Sequence, residues 1–232
     1  DDGEREARTA QLLQDPIQFA LHYRPELIKP SKRMQYAVRR VAKDPRFFGW
    51  WMMGRGLGKD TWLDEILPLY LMAKGELRFM LLIGANHNHA CMVLGNLQAQ
   101  LEYNQRYVHD YGQQVRMGNW ADGEFQTVDG TSFLALGMNQ PVRGLNIRGA
   151  RPDYIVASDV ETKERTKNPA RCQESYNWLM EDVLGTQPVG GKVARFVFNN
   201  NYFSKTSVGS ILLQESPGLE VIQHDLIDKD GQ

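Results

Sequence analysis

The chain has 232 residues, of which 42% are hydrophobic and 24% are charged, and its formal net charge is -1. This length suits one substantial α/β domain, and the composition is ordinary for a soluble globular protein. The near-zero charge gives no global electrostatic case for nucleic-acid binding, so any basic surface must be local. Cys91 and Cys172 form no CxxC pair, which argues against a zinc site or a disulfide framework. We find no signal-peptide core and no apolar run long enough for a membrane span.

The first 45 residues predict a helical lead-in. Residues 7–23 have helical apolar spacing, and Pro16 is expected to start a new helix within them. Ser31 is expected to cap a further helix that carries Gln35. An amide shortly before a strand and a glycine loop can read the adenine edge with one donor and one acceptor. The alternative is a solvated glutamine on a helix.

A strand, a glycine-rich turn, a lysine and a helix follow in residues 47–67, FFGWWMMGRGLGKDTWLDEIL. This order is typical of a phosphate-binding loop, whose backbone N–H groups and helix N-terminus face a polyphosphate. Met53 and Asp60 depart from the usual pattern, which has glycine and Ser/Thr there. The alternative is a glycine-rich loop with a surface lysine. The predicted ATP-binding residues in this segment are Gly54, Arg55, Gly56, Leu57, Gly58, Lys59, Asp60 and Thr61.

The remaining chain alternates apolar strands with helices, apart from a glycine-rich hairpin at 112–130. The predicted strands are 47–53, 78–84, 131–136, 154–157, 193–198 and 219–224, and the main helices are 60–72, 89–103 and 169–184. This alternation predicts an α/β fold with a mostly parallel sheet and helices on both faces. Polar segments at 54–60, 86–88, 159–161 and 199–201 would then converge at the carboxyl edge of the sheet.

Carboxylates directly after strand 154–157 suit a nucleotide hydrolase, which needs one acid for Mg²⁺ and another for the attacking water. If the strand continues, Asp159 and Glu161 point the same way and Val160 faces the core. The preceding segment, 137–152, contains three arginines among glycines and prolines. Its composition favours a loop near phosphates, with an ordinary solvent loop as the alternative.

Together these pieces resemble the ATPase domain of the large terminase subunit, the DNA-packaging motor of tailed bacteriophages. The matching pieces span most of the chain: residues 30–35, GRGLGKDT, FMLLIGANHNHA, RGLNIRGARPDYIVASDVE and RFVFNNNYFSKTSVGSIL. The resemblance implies a three-layer P-loop NTPase fold of the ASCE type. It also implies one ATPase domain over 1–232, with a lead-in at 1–45 and a core at 46–232. We find no C-terminal nuclease domain of the ribonuclease H type in the sequence.

The resemblance implies ATP and Mg²⁺ as cofactors and assigns roles to particular residues. Lys59 would reach the β- and γ-phosphates. Asp159 is the leading candidate for the water-orienting acid, with Glu161 second. Arg55 would stabilise transition-state charge within its own subunit, and Arg143 on a neighbour's nucleotide. Arg148 is the alternative to Arg143 in this role, although Arg148 and Arg151 could equally anchor their loop to the sheet. Asn199 and Asn200 would sense the γ-phosphate, although asparagines at a strand end are also ordinary turn residues.

Asp60 and Ser158 depart from the family pattern together. The family usually has Ser or Thr at the first position and Asp at the second. We interpret the pair as an exchange, in which Asp60 supplies the carboxylate and Ser158 the hydroxyl to Mg²⁺, with Asp159 beside them. The alternative is that the substitutions weaken Mg²⁺ binding.

The function that the resemblance implies is ATP hydrolysis that drives viral double-stranded DNA into a procapsid. The expected partners are that DNA, the portal protein, the small terminase subunit and further copies in a ring, although the isolated domain could be monomeric. The expected location is the host cytoplasm, transiently at the portal, without a membrane and not in the mature virion. The alternatives are a helicase-like nucleic-acid-dependent ATPase, and a nucleotide-binding domain with weak hydrolysis. A helicase would need a second motor domain, which 232 residues do not hold.

Overall fold

The computed structural model describes residues 2–54, 56–142, 145, 149–185 and 194–224. Three helices lead in: α1 (Asp2–Leu12), α2 (Pro16–Tyr23) and α3 (Lys32–Lys43). Pro16 occupies the first turn of α2, and the Ser31 hydroxyl accepts a hydrogen bond from the Met34 N–H at the start of α3. Both predicted helix starts are therefore confirmed.

Strand β1 (Phe48–Met53) leads through the glycine turn into helix α4, which has two parts. Thr61–Ile66 has π-helical geometry, and Leu67–Ala73 is α-helical. The Leu67 N–H donates to the Trp62 carbonyl, five residues earlier, as π geometry requires. The next elements are β2 (Phe79–Gly84), α5 (His87–Tyr103) and α6 (Gln105–Tyr111).

The second half begins with the predicted hairpin, which consists of β3 (Val115–Ala121) and β4 (Glu124–Thr127). Helix α7 starts as an α-helix, Pro169–Asn177, and continues as a π-helix, Trp178–Leu184. The remaining elements are β5 (Ser132–Gly137), β6 (Tyr154–Ser158), β7 (Arg195–Asn199), α8 (Val208–Glu215) and β8 (Glu220–His224). None of the helices in the described ranges combines the length and the apolarity that a membrane span needs.

The strands form one eight-stranded sheet in the order β3-β4-β5-β2-β6-β7-β1-β8. Six strands, from β5 to β8 in this order, run parallel, and β4 is antiparallel to both of its neighbours, β5 and β3. The predicted α/β class and mostly parallel sheet are therefore confirmed. Strand β7 lies between β1 and β6, so that Asn199 pairs in register with both Trp51 and Ser158. This insertion brings three segments that are distant in sequence to one sheet edge.

Neighbouring residues of a strand enter different hydrophobic cores, because side chains alternate between the two faces of a sheet. Trp51 belongs to a core that also contains residues of α2 to α5, whereas Trp50 belongs to a core with residues of α7 and α8. Helices therefore cover both faces, and both tryptophans are fully buried. Buried apolar area on this scale is the main source of stability for the frame that holds the sheet edge.

Candidate nucleotide-binding site

The glycine turn leaves the carboxyl end of β1 and runs directly into α4. Gly56 and Gly58 have φ angles of 83° and 71°, which residues with a Cβ rarely adopt. The Trp62 N–H donates to the Gly58 carbonyl at 3.2 Å, so helical hydrogen bonding begins at the end of the turn. Gly54 and Thr61 are half-buried, and Leu57 packs against the core that contains Trp51. Arg55 lies outside the described residues.

Lys59 points inward from this turn, with only 3% of its side chain exposed. Its Nζ lies 3.0 Å from Asp159 Oδ1 and 3.1 Å from Asp60 Oδ1. A buried ammonium needs such partners, because its desolvation is otherwise costly. Lys59 is therefore not a surface lysine. The predicted meeting of the glycine turn with the acidic strand end is confirmed for these side chains.

Asn199 connects the two positions that depart from the terminase pattern. Its Nδ2 donates to Asp60 Oδ1 at 2.7 Å and to Ser158 Oγ at 3.0 Å. Asn199 is fully buried, whereas 53% of the Asp60 side chain is exposed. Asp60 and Ser158 are thus joined through one amide, and the Asp60 carboxylate remains open to a ligand. Their roles as Mg²⁺ ligands, and that of Asn199 in coupling, stay predictions.

A carboxylate that sequence reasoning missed lies behind this network. The Ser158 hydroxyl donates to Asp64 Oδ2 at 2.8 Å, and Asp64 is only 1% exposed. Burial, and next the nearby Asp60 carboxylate, raise the pKa of Asp64 well above its usual range. One sequence signal was available, because Asp64 is an acid between Leu63 and Ile66 in a helix that is otherwise largely apolar on its inner side.

Asp159 adopts a backbone conformation that few residues other than glycine take. Its φ is +45°, and its N–H donates to the Asn199 carbonyl at 2.9 Å. This left-handed conformation costs on the order of 1 kcal/mol. It ends β6 at Ser158 and turns the carboxylate toward Lys59, with 46% of the side chain still exposed. The Asp159 carboxylate is therefore accessible from the solvent.

The condition under which Asp159 and Glu161 would point the same way is not met, because β6 ends at Ser158, before either residue. Glu161 is buried, and its carboxylate accepts hydrogen bonds from the backbone N–H groups of Val208 at 2.6 Å and Gly209 at 3.4 Å. Burial raises the pKa of Glu161 to about 7, and the two N–H donors oppose this rise. Glu161 thus binds the N-terminus of α8, while Val160 is buried as expected.

Asn200 connects the segment that follows β6 to the sheet through hydrogen bonds. Its Nδ2 donates to the Ala157 carbonyl at 3.0 Å, its Oδ1 accepts from the Glu161 N–H at 3.2 Å, and its carbonyl accepts from Trp50 Nε1 at 2.8 Å. These bonds satisfy the amide within the fold. A role of Asn200 in coupling therefore stays a prediction, beside an evident structural role.

Gln35 lies half-buried on α3, where both ends of its amide have partners. Nε2 donates to the Pro30 carbonyl at 2.9 Å, and Oε1 accepts from Arg39 at 3.3 Å. Reading an adenine would require an exchange of these bonds, and this role stays a prediction. The remaining candidate arginines, Arg143 and Arg148, lie outside the described residues.

The comparisons with known proteins are sparse. No family model matches the chain, and no curated protein matches it. Among solved structures, the chain is similar to Saccharomyces cerevisiae Dbp5 bound to Nup159, Gle1, IP6 and ADP. The identity is 12% and the TM-score is 0.49, over 94% of this chain and 52% of that chain. This chain therefore spans about half the length of that one, and the similarity assigns neither family nor function.

Proposed function

We propose that this chain binds ATP with Mg²⁺ and hydrolyses it. The supporting observation is the position of Lys59, which is buried at the end of a glycine turn, 3.0 Å from the Asp159 carboxylate of a different strand end. Triphosphate oxygens would replace the carboxylates as partners of the ammonium. This exchange of partners would place the phosphates between the turn and Asp159, where hydrolysis requires an acid.

The proposed contacts to the phosphates come mainly from the backbone of the turn. The left-handed glycines Gly56 and Gly58 orient successive N–H groups in a way that favours an anion. The first turn of α4 adds further N–H groups that lack partners within the helix. Gly54 and Leu57 complete the cradle, and Thr61 lies at its helical end.

The residues that would hold Mg²⁺ are Asp60 and Asp159, with Ser158 as a further, hydroxyl ligand. Mg²⁺ is commonly held by one or two carboxylates together with substrate phosphates, and both carboxylates are about half exposed at the mouth of the site. Bound Mg²⁺ would neutralise charge on the β- and γ-phosphates. The Ser158 oxygen already donates to Asp64 and accepts from Asn199, which leaves it one lone pair.

Asp159 is the proposed water-orienting acid. Once phosphate oxygens replace Asp159 as the partner of Lys59, the Asp159 carboxylate becomes free to accept a hydrogen bond from the attacking water. Glu161 remains the second candidate, but its carboxylate is engaged by α8. Arg55 and Arg143 stay proposals for stabilising the transition-state charge.

We further propose that this chain is the ATPase domain of a packaging terminase, a motor that moves double-stranded viral DNA into a procapsid. In support, the sequence pieces that resemble terminases include the glycine turn, the acidic strand end and the Asn199 segment, whose side chains share one hydrogen-bonded network. The strand order, with β7 between β1 and β6, also fits the proposed ASCE-type core. The portal protein, the small terminase subunit and a ring of copies are the partners that this proposal entails.

ATP turnover tests the proposal. We expect phosphate release that requires Mg²⁺, stops with EDTA and increases with linear double-stranded DNA more than with single-stranded DNA or RNA. Preferential stimulation by single strands, together with strand separation, would favour the helicase-like alternative. Binding of ATP with negligible turnover would favour a nucleotide-binding domain. If neither binding nor turnover occurs at millimolar Mg²⁺·ATP, the proposed function is wrong.

A further inference from the structure

A continuous hydrogen-bonded path links the interior of α4 to the mouth of the site. It begins at Asp64, which accepts from Ser158 Oγ at 2.8 Å. Ser158 accepts from Asn199 Nδ2 at 3.0 Å, and the same Nδ2 donates to Asp60 Oδ1 at 2.7 Å. Asp60 in turn contacts Lys59 at 3.1 Å. Each step is a direct contact between side chains.

Asp64 is an unfavourable residue at this place unless it has a function. It is 1% exposed, and its Oδ1 has no hydrogen-bond partner among the described residues. A buried acid with an unpaired oxygen is unfavourable in either charge state, and an apolar residue of similar volume is often at least as stable. Its neighbours Leu63 and Ile66 are fully buried apolar residues, so an apolar side chain would suit the local packing.

The hydrogen bonds along this path have a fixed order of donors and acceptors. A serine hydroxyl has one hydrogen, and here that hydrogen goes to Asp64, so the Ser158 oxygen must accept from its other neighbour. Asn199 therefore has to present its NH₂ group, whose second hydrogen goes to Asp60. Without the acceptor at Asp64, the Ser158 hydroxyl is free to donate to Asn199, and the amide can turn its carbonyl oxygen toward the Asp60 carboxylate.

We propose that Asp64 is a positioning residue for Asp60, and that it acts through Ser158 and Asn199. By fixing the donor direction, Asp64 holds one oxygen of Asp60 by a hydrogen bond and leaves the other directed to the mouth of the site. This inference rests on the proposed function, because the carboxylate that it positions is a proposed Mg²⁺ ligand.

Asp64→Asn tests this role, because the amide has almost the same shape but can donate to Ser158 and reverse the path. Mn²⁺ binding is measured by electron paramagnetic resonance with a non-hydrolysable ATP analogue present. We expect Asp64→Asn to weaken Mn²⁺ binding about tenfold or more, as loss of outer-shell partners of a metal site commonly does. The affinity for the analogue in EDTA is expected to change less than about twofold, since Asp64 does not line the phosphate cradle. The melting temperature is expected to stay equal or rise, because a neutral amide of the same shape replaces an acid that burial disfavours.

Glu65→Gln is the matched control. It neutralises the adjacent acid, whose carboxylate binds Arg24 at 2.6 Å outside the path, and it should leave Mn²⁺ binding unchanged. In a Ser158→Ala background, Asp64→Asn should have no further effect on Mn²⁺ binding, because the connection is already cut. If Asp64→Asn does not fold, Asp64→Ser serves as the test variant. The same weakening of Mn²⁺ binding is expected for it.

Two outcomes overturn the inference separately from the proposed function. If the wild type binds the analogue and Mn²⁺ but Asp64→Asn binds Mn²⁺ equally well, only the positioning role is wrong. The same holds if Asp64→Asn lowers the melting temperature without changing Mn²⁺ binding, which indicates a purely structural residue. If the wild type binds neither, the proposed function fails and this inference falls with it.

Discussion

Replacing Lys59 by alanine is expected to abolish most of the ATP turnover. The variant loses the buried ammonium that faces the proposed phosphate site, and it leaves Asp60 and Asp159 to repel the triphosphate. Removal of one preorganised electrostatic group commonly lowers kcat by about 10²- to 10³-fold, and we expect a loss of at least this size. Steady-state phosphate release and equilibrium binding of an ATP analogue measure the loss and show whether it arises in binding or in the chemical step.

Lys43→Ala is the control for this prediction. Lys43 is an exposed lysine at the end of α3, so the same chemical change there should leave turnover within about twofold of the wild type. A Lys59→Ala variant that keeps more than half of the wild-type turnover would contradict the proposed site. Equal losses in both variants would point to a general effect of lysine removal and not to the site.

Asp159→Asn is expected to cause the second large loss of ATP hydrolysis, and Glu161→Gln a much smaller loss. Asp159 contacts Lys59 and is accessible, whereas the Glu161 carboxylate is occupied by the first N–H groups of α8. Loss of a positioned acid or base commonly reduces the rate by about 10²- to 10⁴-fold, and we expect this loss for Asp159→Asn only. Single-turnover rates at saturating Mg²⁺·ATP isolate the chemical step. The reverse order, with Glu161→Gln inactive and Asp159→Asn active, would make Glu161 the water-orienting acid.

Glu161→Gln has an independent readout in the pH dependence of stability. Burial raises the pKa of Glu161 in the folded protein to about 7 from its ordinary value of 4.5, so the folded protein binds more protons than the unfolded chain between these values. Stability therefore falls as the pH rises through this window, by up to about 3 kcal/mol for this group. Urea unfolding at pH 5 and pH 8 should show this loss in the wild type and a smaller one in Glu161→Gln. Identical pH dependence in both proteins would contradict the buried state of Glu161.

The elements and the glycine turn could be predicted from the sequence, because they depend on local patterns. Apolar runs identified the parallel strands, and the spacing of Gly56, Gly58 and Lys59 was enough to indicate a tight turn between β1 and α4. The contact between Lys59 and Asp159 followed from one general rule, that parallel strands present their carboxyl ends at the same edge.

The finer geometry of the site depends on pairing and backbone conformation that local patterns do not encode. The place of β7 between β1 and β6 is set by long-range pairing, so the two hydrogen bonds that the Asn199 side chain donates could not be predicted from the sequence. The left-handed φ of Asp159 ends the strand before Glu161, so the carboxylate of Glu161 binds the start of α8. Asp64 was missed because its burial depends on the packing of α4 against the sheet, which spacing along the helix alone does not give.

A structure with a non-hydrolysable ATP analogue and Mg²⁺ tests the central claim most directly. We expect the triphosphate to lie in the turn between Gly54 and Asp60, with Lys59 Nζ moved from Asp159 to phosphate oxygens. Asp60 and Asp159 should then lie at the metal. A nucleotide bound elsewhere, with the 3.0 Å pair of Lys59 and Asp159 intact, would contradict the proposed site.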